Sequence, residues 1–338
     1  MKFLIIQTAF IGDVVLATPL IEKLKQFYPD SEIDFLLRKG NEGLLTGHPL
    51  LRQVLIFDKK KGKYKNLFSL INTIRKEKYD HVINLQRFFA SGMLTAFSGA
   101  RHTIGFDKNP LSFLFSESLP HHISATGTEH EVNRNLSLIT KLTDTSFVRP
   151  RLYPSESDFK KIVPAVPYVC IAPASVWFTK QWPAAKWIEL IEKLPENLSI
   201  YLMGGKSDID LCTHIKWNII NHVPRLRSGE DPTIHIVAGQ LSFLESAALM
   251  KNARMNFVND SAPLHFASAV NAPVAAMFCS TVPAFGFGPL SDDSFVFETT
   301  ERLDCRPCGL HGYKSCPKGH FKCSHIDIDS VVKIFERR

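Results

Sequence analysis

Short apolar runs alternate with helically spaced apolar positions through most of the chain. Phe3 to Gln7, Ile33 to Leu37, Val54 to Phe57 and His81 to Leu85 predict strands. Between them Val14, Ala17, Ile21 and Leu24, then Leu67, Leu70, Ile71 and Ile74, recur at the spacing of one helix face. Near-continuous strand hydrophobicity joined through helices is the mark of a buried parallel sheet. The alternation restarts after residue 166, with strands predicted at Tyr168 to Ala172, Ser199 to Met203, Ile234 to Val237, Met255 to Val258 and Val274 to Phe278. Helices are predicted near Ala184 to Leu194, Phe243 to Lys251 and Leu264 to Val270. Pro150, Pro154, Pro164 and Pro167 interrupt both patterns and predict a linker. The expected fold class is therefore α/β, with two Rossmann-like domains at 1–160 and 161–338. Ligands of such sheets bind beyond the carboxyl ends of the strands, so the expected site is a cleft between facing domains.

Composition agrees with two folded cores: 338 residues, 45% hydrophobic and 22% charged. That apolar content excludes a disordered chain. No apolar run reaches the 18 or so residues of a membrane span, and Asp13 interrupts the region where a signal peptide would be apolar. A cytoplasmic location is expected. The formal charge of +7 sharpens the picture only when divided. Residues 1–165 hold 23 Lys and Arg against 16 Asp and Glu, whereas residues 166–338 hold 17 of each. The excess is densest around Lys59-Lys60-Lys61-Gly62-Lys63-Tyr64-Lys65, which reads either as an anion-binding run or as a solvated loop.

The chemistry-bearing residues lie in loops after predicted strands. In the first, Gly12 would permit a tight turn, and Asp13 is either a reactive carboxylate or a helix N-cap. Pro19 predicts a kink, or marks the first turn of the helix that follows. In the second half, Ser175 and Thr179 could donate hydrogen bonds to an anion and Lys180 could supply charge, although the loop lacks the glycine spacing of a P-loop. Gly204-Gly205 allows close approach of a ligand, and Asp208 could bind ribose hydroxyls. Asp260 or Ser261 would cap a helix carrying Pro263 in its first turn, with its free amides available to a diphosphate. His265 on that helix suits a packed core position at least as well. A capping box is expected from Thr128 to Glu131, with His130 and Arg134 on one helix face, in the cleft or on the surface.

Together, the Gly12-Asp13 loop, Lys180-Gln181-Trp182-Pro183, Asn259-Asp260-Ser261 with His265, and Pro273 through Phe278-Cys279-Ser280-Thr281-Val282-Pro283 resemble glycosyltransferase family 9. These are the ADP-heptose:lipopolysaccharide heptosyltransferases. The resemblance implies a GT-B fold with the acceptor on the first domain and the nucleotide sugar on the second. It further implies an inverting, metal-independent transfer of a heptose or related sugar from an ADP-sugar to the lipopolysaccharide inner core, with no cofactor required for catalysis. By position, Asp13 matches the catalytic base, Lys180 the diphosphate lysine and Asp208 the acidic residue near the ribose. The segment from Asp260 to His265 matches the phosphate loop, with amides of Ser261, Ala262 and Leu264 as donors. Ala262 and Cys279 stand where the family commonly has glycine; neither change removes a charge. Gly12, Lys61, Lys63 and Arg87 are the expected acceptor-side residues. The implied partners are an ADP-heptose-like donor, a lipopolysaccharide core or lipid A acceptor, and the anionic inner face of the inner membrane, with no nucleic acid.

Cys305, Cys308, Cys316 and Cys323 crowd the segment 305–323 of the second domain. They could hold a structural zinc, stand as free thiols or form disulfides; their spacing is not that of two paired CxxC knuckles. Two rival functions follow from the same residues. One is a zinc-containing nucleic-acid-binding protein using the basic half. The other is a different GT-B enzyme, such as a nucleotide-sugar epimerase.

Overall fold

The computed structural model describes residues 1–59, 62–195, 197–222 and 234–336. The chain divides into two units, Met1–Ile123 with Glu129–Tyr153, and Ser124–Thr128 with Pro154–Arg338. In the first unit the elements run β1 (Lys2–Ile6), α1 (Ile11–Phe27), β2 (Glu32–Arg38), β3 (Gln53–Phe57), α2 (Lys63–Glu77), β4 (His81–Asn84), α3 (Phe89–Ala96), β5 (His102–Phe106), β6 (Glu117–Leu119) and α4 (Glu131–Ser137). Their sheet is wholly parallel, in the order β3-β2-β1-β4-β5-β6.

The second unit begins with α5 (Glu156–Ile162) and β7 (Tyr168–Ala172), then α6 (Ala184–Lys193), β8 (Ser199–Leu202), α7 (Ile209–His222) and β9 (Ile234–Ile236). It continues through α8 (Phe243–Asn252), β10 (Asn256–Asn259), α9 (Ala262–Ala269), β11 (Val274–Phe278), β12 (Ser294–Glu298) and α10 (Ile328–Glu336). Its sheet, also parallel, has the order β12-β11-β10-β7-β8-β9. In both units the first strand thus pairs with the second and the fourth. The loops leaving the first and fourth strands diverge to opposite faces, which opens a crevice at the carboxyl edge.

Each sheet is buried on both faces, as its apolar runs require. Phe3, Leu4, Ile5 and Ile6 are fully covered in one core. In the other, Trp182 and Trp187 meet edge to face at 4.9 Å and pack with Ile171, Phe257 and Met277. The predicted strands all form, and three further ones join them. β5 begins with polar residues and contains Gly105, where a Cβ would press on the Phe115 ring. β6 has three residues, and β12 is a half-exposed edge strand, so none of the three carries a clear apolar run.

Pro19 neither starts nor breaks α1, which runs unbroken past it. The carbonyl that Pro19 leaves without its usual amide is that of Val15, and the Thr18 hydroxyl donates to it at 2.8 Å. The Thr128 capping box is also absent: α4 starts at Glu131, and His130 is the N-cap, its Nδ1 accepting from the Val132 amide at 3.1 Å. The proline-rich linker contains a helix, α5, nucleated by a capping box between Ser155 and Asp158.

Asp34 is completely buried on β2 and accepts hydrogen bonds from Arg52 Nε at 2.8 Å, Gln53 Nε2 at 2.9 Å and the Tyr79 hydroxyl. It ties β2 and β3 to the turn before β4. Replacing Asp34 with Ala would leave an incompletely paired guanidinium and a buried phenol. A loss of about 3–5 kcal/mol is expected, read as a lower urea midpoint with an unchanged m-value.

Candidate functional site

In the first unit the chain leaves β1 at Ile6 and reaches α1 through residues 7–10. Three remote side chains hold this loop. Asn41 Nδ2 donates to Ala9 O at 3.0 Å, Lys59 Nζ to Thr8 O at 2.8 Å, and Gln86 Nε2 to Gln7 Oε1. Asp13 is the third residue of α1, and its Oδ2 accepts from the Phe10 amide at 3.0 Å. It therefore returns a hydrogen bond to the N-cap residue instead of being that residue. Gly12 lies in the first helical turn without a left-handed backbone, so the expected tight turn does not depend on it.

Burial pushes the Asp13 carboxyl up to about 6, and the Glu131 charge adds to the rise. The Phe10 amide and the Arg38 guanidinium oppose it. Burial would raise Glu131 as well, but His121 at 3.1 Å and Arg134 at 2.7 Å hold it below its ordinary value. Asp13 thus sits beside a carboxylate that stays charged. Arg38 lies over the Phe10 ring at 4.9 Å, and the exposed Arg87, beyond β4, lies over Phe88 at 5.6 Å. Lys61 is outside the described residues, as is the side chain of Lys63. Nothing in the sequence around Arg38 or Glu131 links them to Asp13, because β2 and α4 bring them there from distant positions.

In the second unit the loop between β7 and α6 passes through a 3-10 turn, Phe178–Lys180. Lys180 Nζ meets Asp260 Oδ2 at 2.6 Å, and the Thr281 hydroxyl donates to the same oxygen at 2.6 Å. Three strand exits, those of β7, β10 and β11, converge there. Asn259, the last residue of β10, binds both ends of the β7 exit loop: its Oδ1 accepts from the Trp182 amide at 2.9 Å, and its Nδ2 donates to Pro173 O at 2.9 Å. Asp260 therefore pairs with Lys180 and does not cap a helix; Ser261 holds the N-cap position of α9.

The other expected donor residues divide. Among the described residues the Ser261 and Ala262 amides have no acceptor, but the Leu264 amide donates to Ser261 O at 3.0 Å and is not open to a phosphate. Thr179 is also unavailable. It is buried, accepting from the Tyr313 amide at 2.7 Å and the Ser280 hydroxyl at 3.0 Å. The Ser175 amide donates to Gln181 Oε1 at 3.2 Å. The Asp208 carboxylate accepts from the Gly205 amide at 2.8 Å and the Ser207 hydroxyl at 3.0 Å, closing the loop after β8 on itself. His265 is buried in the first turn of α9.

The family model for glycosyltransferase family 9 (heptosyltransferase) matches residues 67–310. The chain belongs to glycosyltransferase family 9. It is 30% identical over 303 residues to lipopolysaccharide heptosyltransferase 3 of Escherichia coli, spanning 85% of this chain and 86% of that relative. In structure it is similar to E. coli ADP-heptose LPS heptosyltransferase II, with a TM-score of 0.80 at 20% identity, covering 100% of this chain and 98% of that one. E. coli heptosyltransferase WaaC with ADP superposes with a TM-score of 0.72 at 19% identity, over 100% and 99% of the two chains. The fold is the GT-B fold expected from the sequence, and membership takes the place of both rival functions.

In this glycosyltransferase none of the seven cysteines is joined to another in a disulfide. Cys305 Sγ is 3.8 Å from His320 Nε2, and Cys308 Sγ donates to Cys305 O at 3.2 Å. Among the described residues no three His, Cys, Asp or Glu side chains converge as metal ligands would. No described helix is long and apolar enough to cross a membrane.

The Asn259 staple generates a prediction. Asn259→Ala would strip a fully buried amide and carbonyl of their partners, at a cost of about 2–3 kcal/mol. Urea unfolding would measure it, and a loss below about 0.5 kcal/mol would contradict the role assigned to the staple.

Proposed function

We propose that this glycosyltransferase moves a heptose from an ADP-heptose-like donor to the lipopolysaccharide core, with inversion at the anomeric carbon. The observation that carries the reading is Asp13: a carboxyl raised to about 6, at the exit of the first strand, in a family of heptosyltransferases. A base of that strength is largely ionised at neutral pH and can still accept a proton from a sugar hydroxyl. Asp13 takes the acceptor proton as the hydroxyl oxygen attacks the anomeric carbon, and the bond to the ADP oxygen breaks on the opposite face. Charge grows on the departing diphosphate. Lys180 and the Ser261 and Ala262 amides at the positive end of α9 meet it, with no divalent cation in the scheme.

The donor class rests on the relatives, one of which is named for ADP-heptose and another solved with ADP. In this reading the first unit, which carries the whole charge excess, receives the anionic acceptor at the cytoplasmic face of the inner membrane. Arg87 and the lysine run supply that attraction. Lys59 serves another purpose, since its ammonium holds the loop before Asp13. Asp208 shapes the donor loop and faces the ribose only if its capping bonds are shared.

Asp13→Asn keeps the shape and removes the base, so kcat falls about a hundredfold or more while ADP affinity stays the same; near-normal turnover would refute the assignment. Because the base must be ionised, kcat/KM falls as pH drops through about 6. Glu131→Gln removes the repulsive charge, so this acidic limb moves to lower pH; burial, the larger cause, remains. Finally, ADP-heptose should raise the melting temperature more than UDP- or GDP-sugars do, and a preference for UDP-sugars would overturn the donor class.

A further inference from the structure

The segment 305–313 serves none of the roles described so far, yet it is bonded into the donor loops along its length. Arg306 is the centre of it. Its side chain is only 13% exposed, and its Nε donates to Cys279 O at 2.6 Å. Its Nη2 donates to Thr281 O at 2.7 Å and Phe278 O at 3.1 Å, and pairs with Glu298 Oε1 at 2.5 Å. One guanidinium thus takes three carbonyls where β11 ends and its ladder no longer supplies donors. A planar fork can do this, whereas a lysine ammonium, a point charge, cannot span the set.

Two more contacts complete the strap. The Cys308 amide donates to Ser280 O at 2.8 Å, and the Thr179 amide donates to Tyr313 O at 3.1 Å. Gly312, at φ +76°, lies so close that a Cβ would stand 2.8 Å from Thr179 Oγ1 and 3.0 Å from Lys180 Cγ. The strap therefore touches both Lys180 and the strand exit that carries Thr281. Thr281 donates to the Asp260 oxygen that pairs with Lys180.

We propose that Arg306 is a positioning residue of the donor site. It fixes the backbone at Thr281, Thr281 orients Asp260, and Asp260 holds the Lys180 ammonium where the diphosphate is met. The proposal rests on the reading of Lys180 as the diphosphate cation, so both are tested together, by calorimetry with ADP and by steady-state kinetics. Lys180→Met should abolish most ADP affinity; if it does not, the Lys180 reading fails and this proposal with it.

Arg306→Lys and Thr281→Val should each weaken ADP binding about tenfold, the size of one lost charge-assisted hydrogen bond, with acceptor KM within about twofold. If the two act along one chain, the double variant is no weaker than the weaker single one. Additive losses, an equal rise in acceptor KM, or unchanged ADP affinity with Lys180→Met inactive would overturn the role of Arg306 alone. Should Arg306→Lys not fold, Gly312→Ala probes the strap from its other end. It should weaken ADP binding with Thr281→Val adding nothing further, and unchanged ADP affinity would refute the proposal.

Discussion

In both units the first strand lies between the second and the fourth, and every strand points the same way. That constraint sends each strand's exit to one edge, with the loops after the first and fourth strands leaving on opposite faces. Asp13 and Arg87 follow the first and fourth strands of one sheet; Lys180 and Asp260 follow the corresponding strands of the other. Helices start within a few residues of β1 and β10, so their amides and short side chains are delivered to the same edges. The chemistry of each unit grows from this repeated strand order.

Environment then gives two similar carboxylates different partners. Asp13 is largely covered, with Glu131 repelling it and the Phe10 amide and the Arg38 guanidinium only partly offsetting the rise, and burial holds its carboxyl up to about 6. Asp260 is more deeply buried but shares one oxygen between the Lys180 ammonium and the Thr281 hydroxyl. The first is fitted to exchange a proton and the second to hold a cation in place.

Much of this was legible in the chain. The strands with continuous apolar runs, such as Phe3 to Gln7 and Val274 to Phe278, could hardly be missed, because strands buried on both faces carry few polar interruptions. β5, β6 and β12 were not legible, being short, glycine-containing or at an edge. Pro19 misled for a different reason: its cost is a local rule, but the Thr18 hydroxyl that offsets it depends on the rotamer chosen in the folded helix. The loops after the second unit's strands show the same limit. Thr179 and Leu264 have the right chemistry and place in sequence, yet Tyr313 and Ser261 already occupy them.

By itself the sequence determined the α/β class, the two-fold repetition, the family and the loops of the candidate site, since apolar periodicity and short-range motifs are properties of neighbouring residues. Only the tertiary structure decided which loop side chains remain open to a ligand. Arg38, Glu131 and Arg306 reach their partners across long stretches of chain, and burial, the largest influence on Asp13, exists only once the units are packed. Hydrogen bonds and desolvation act through space, and that is why no spacing along the chain could announce them.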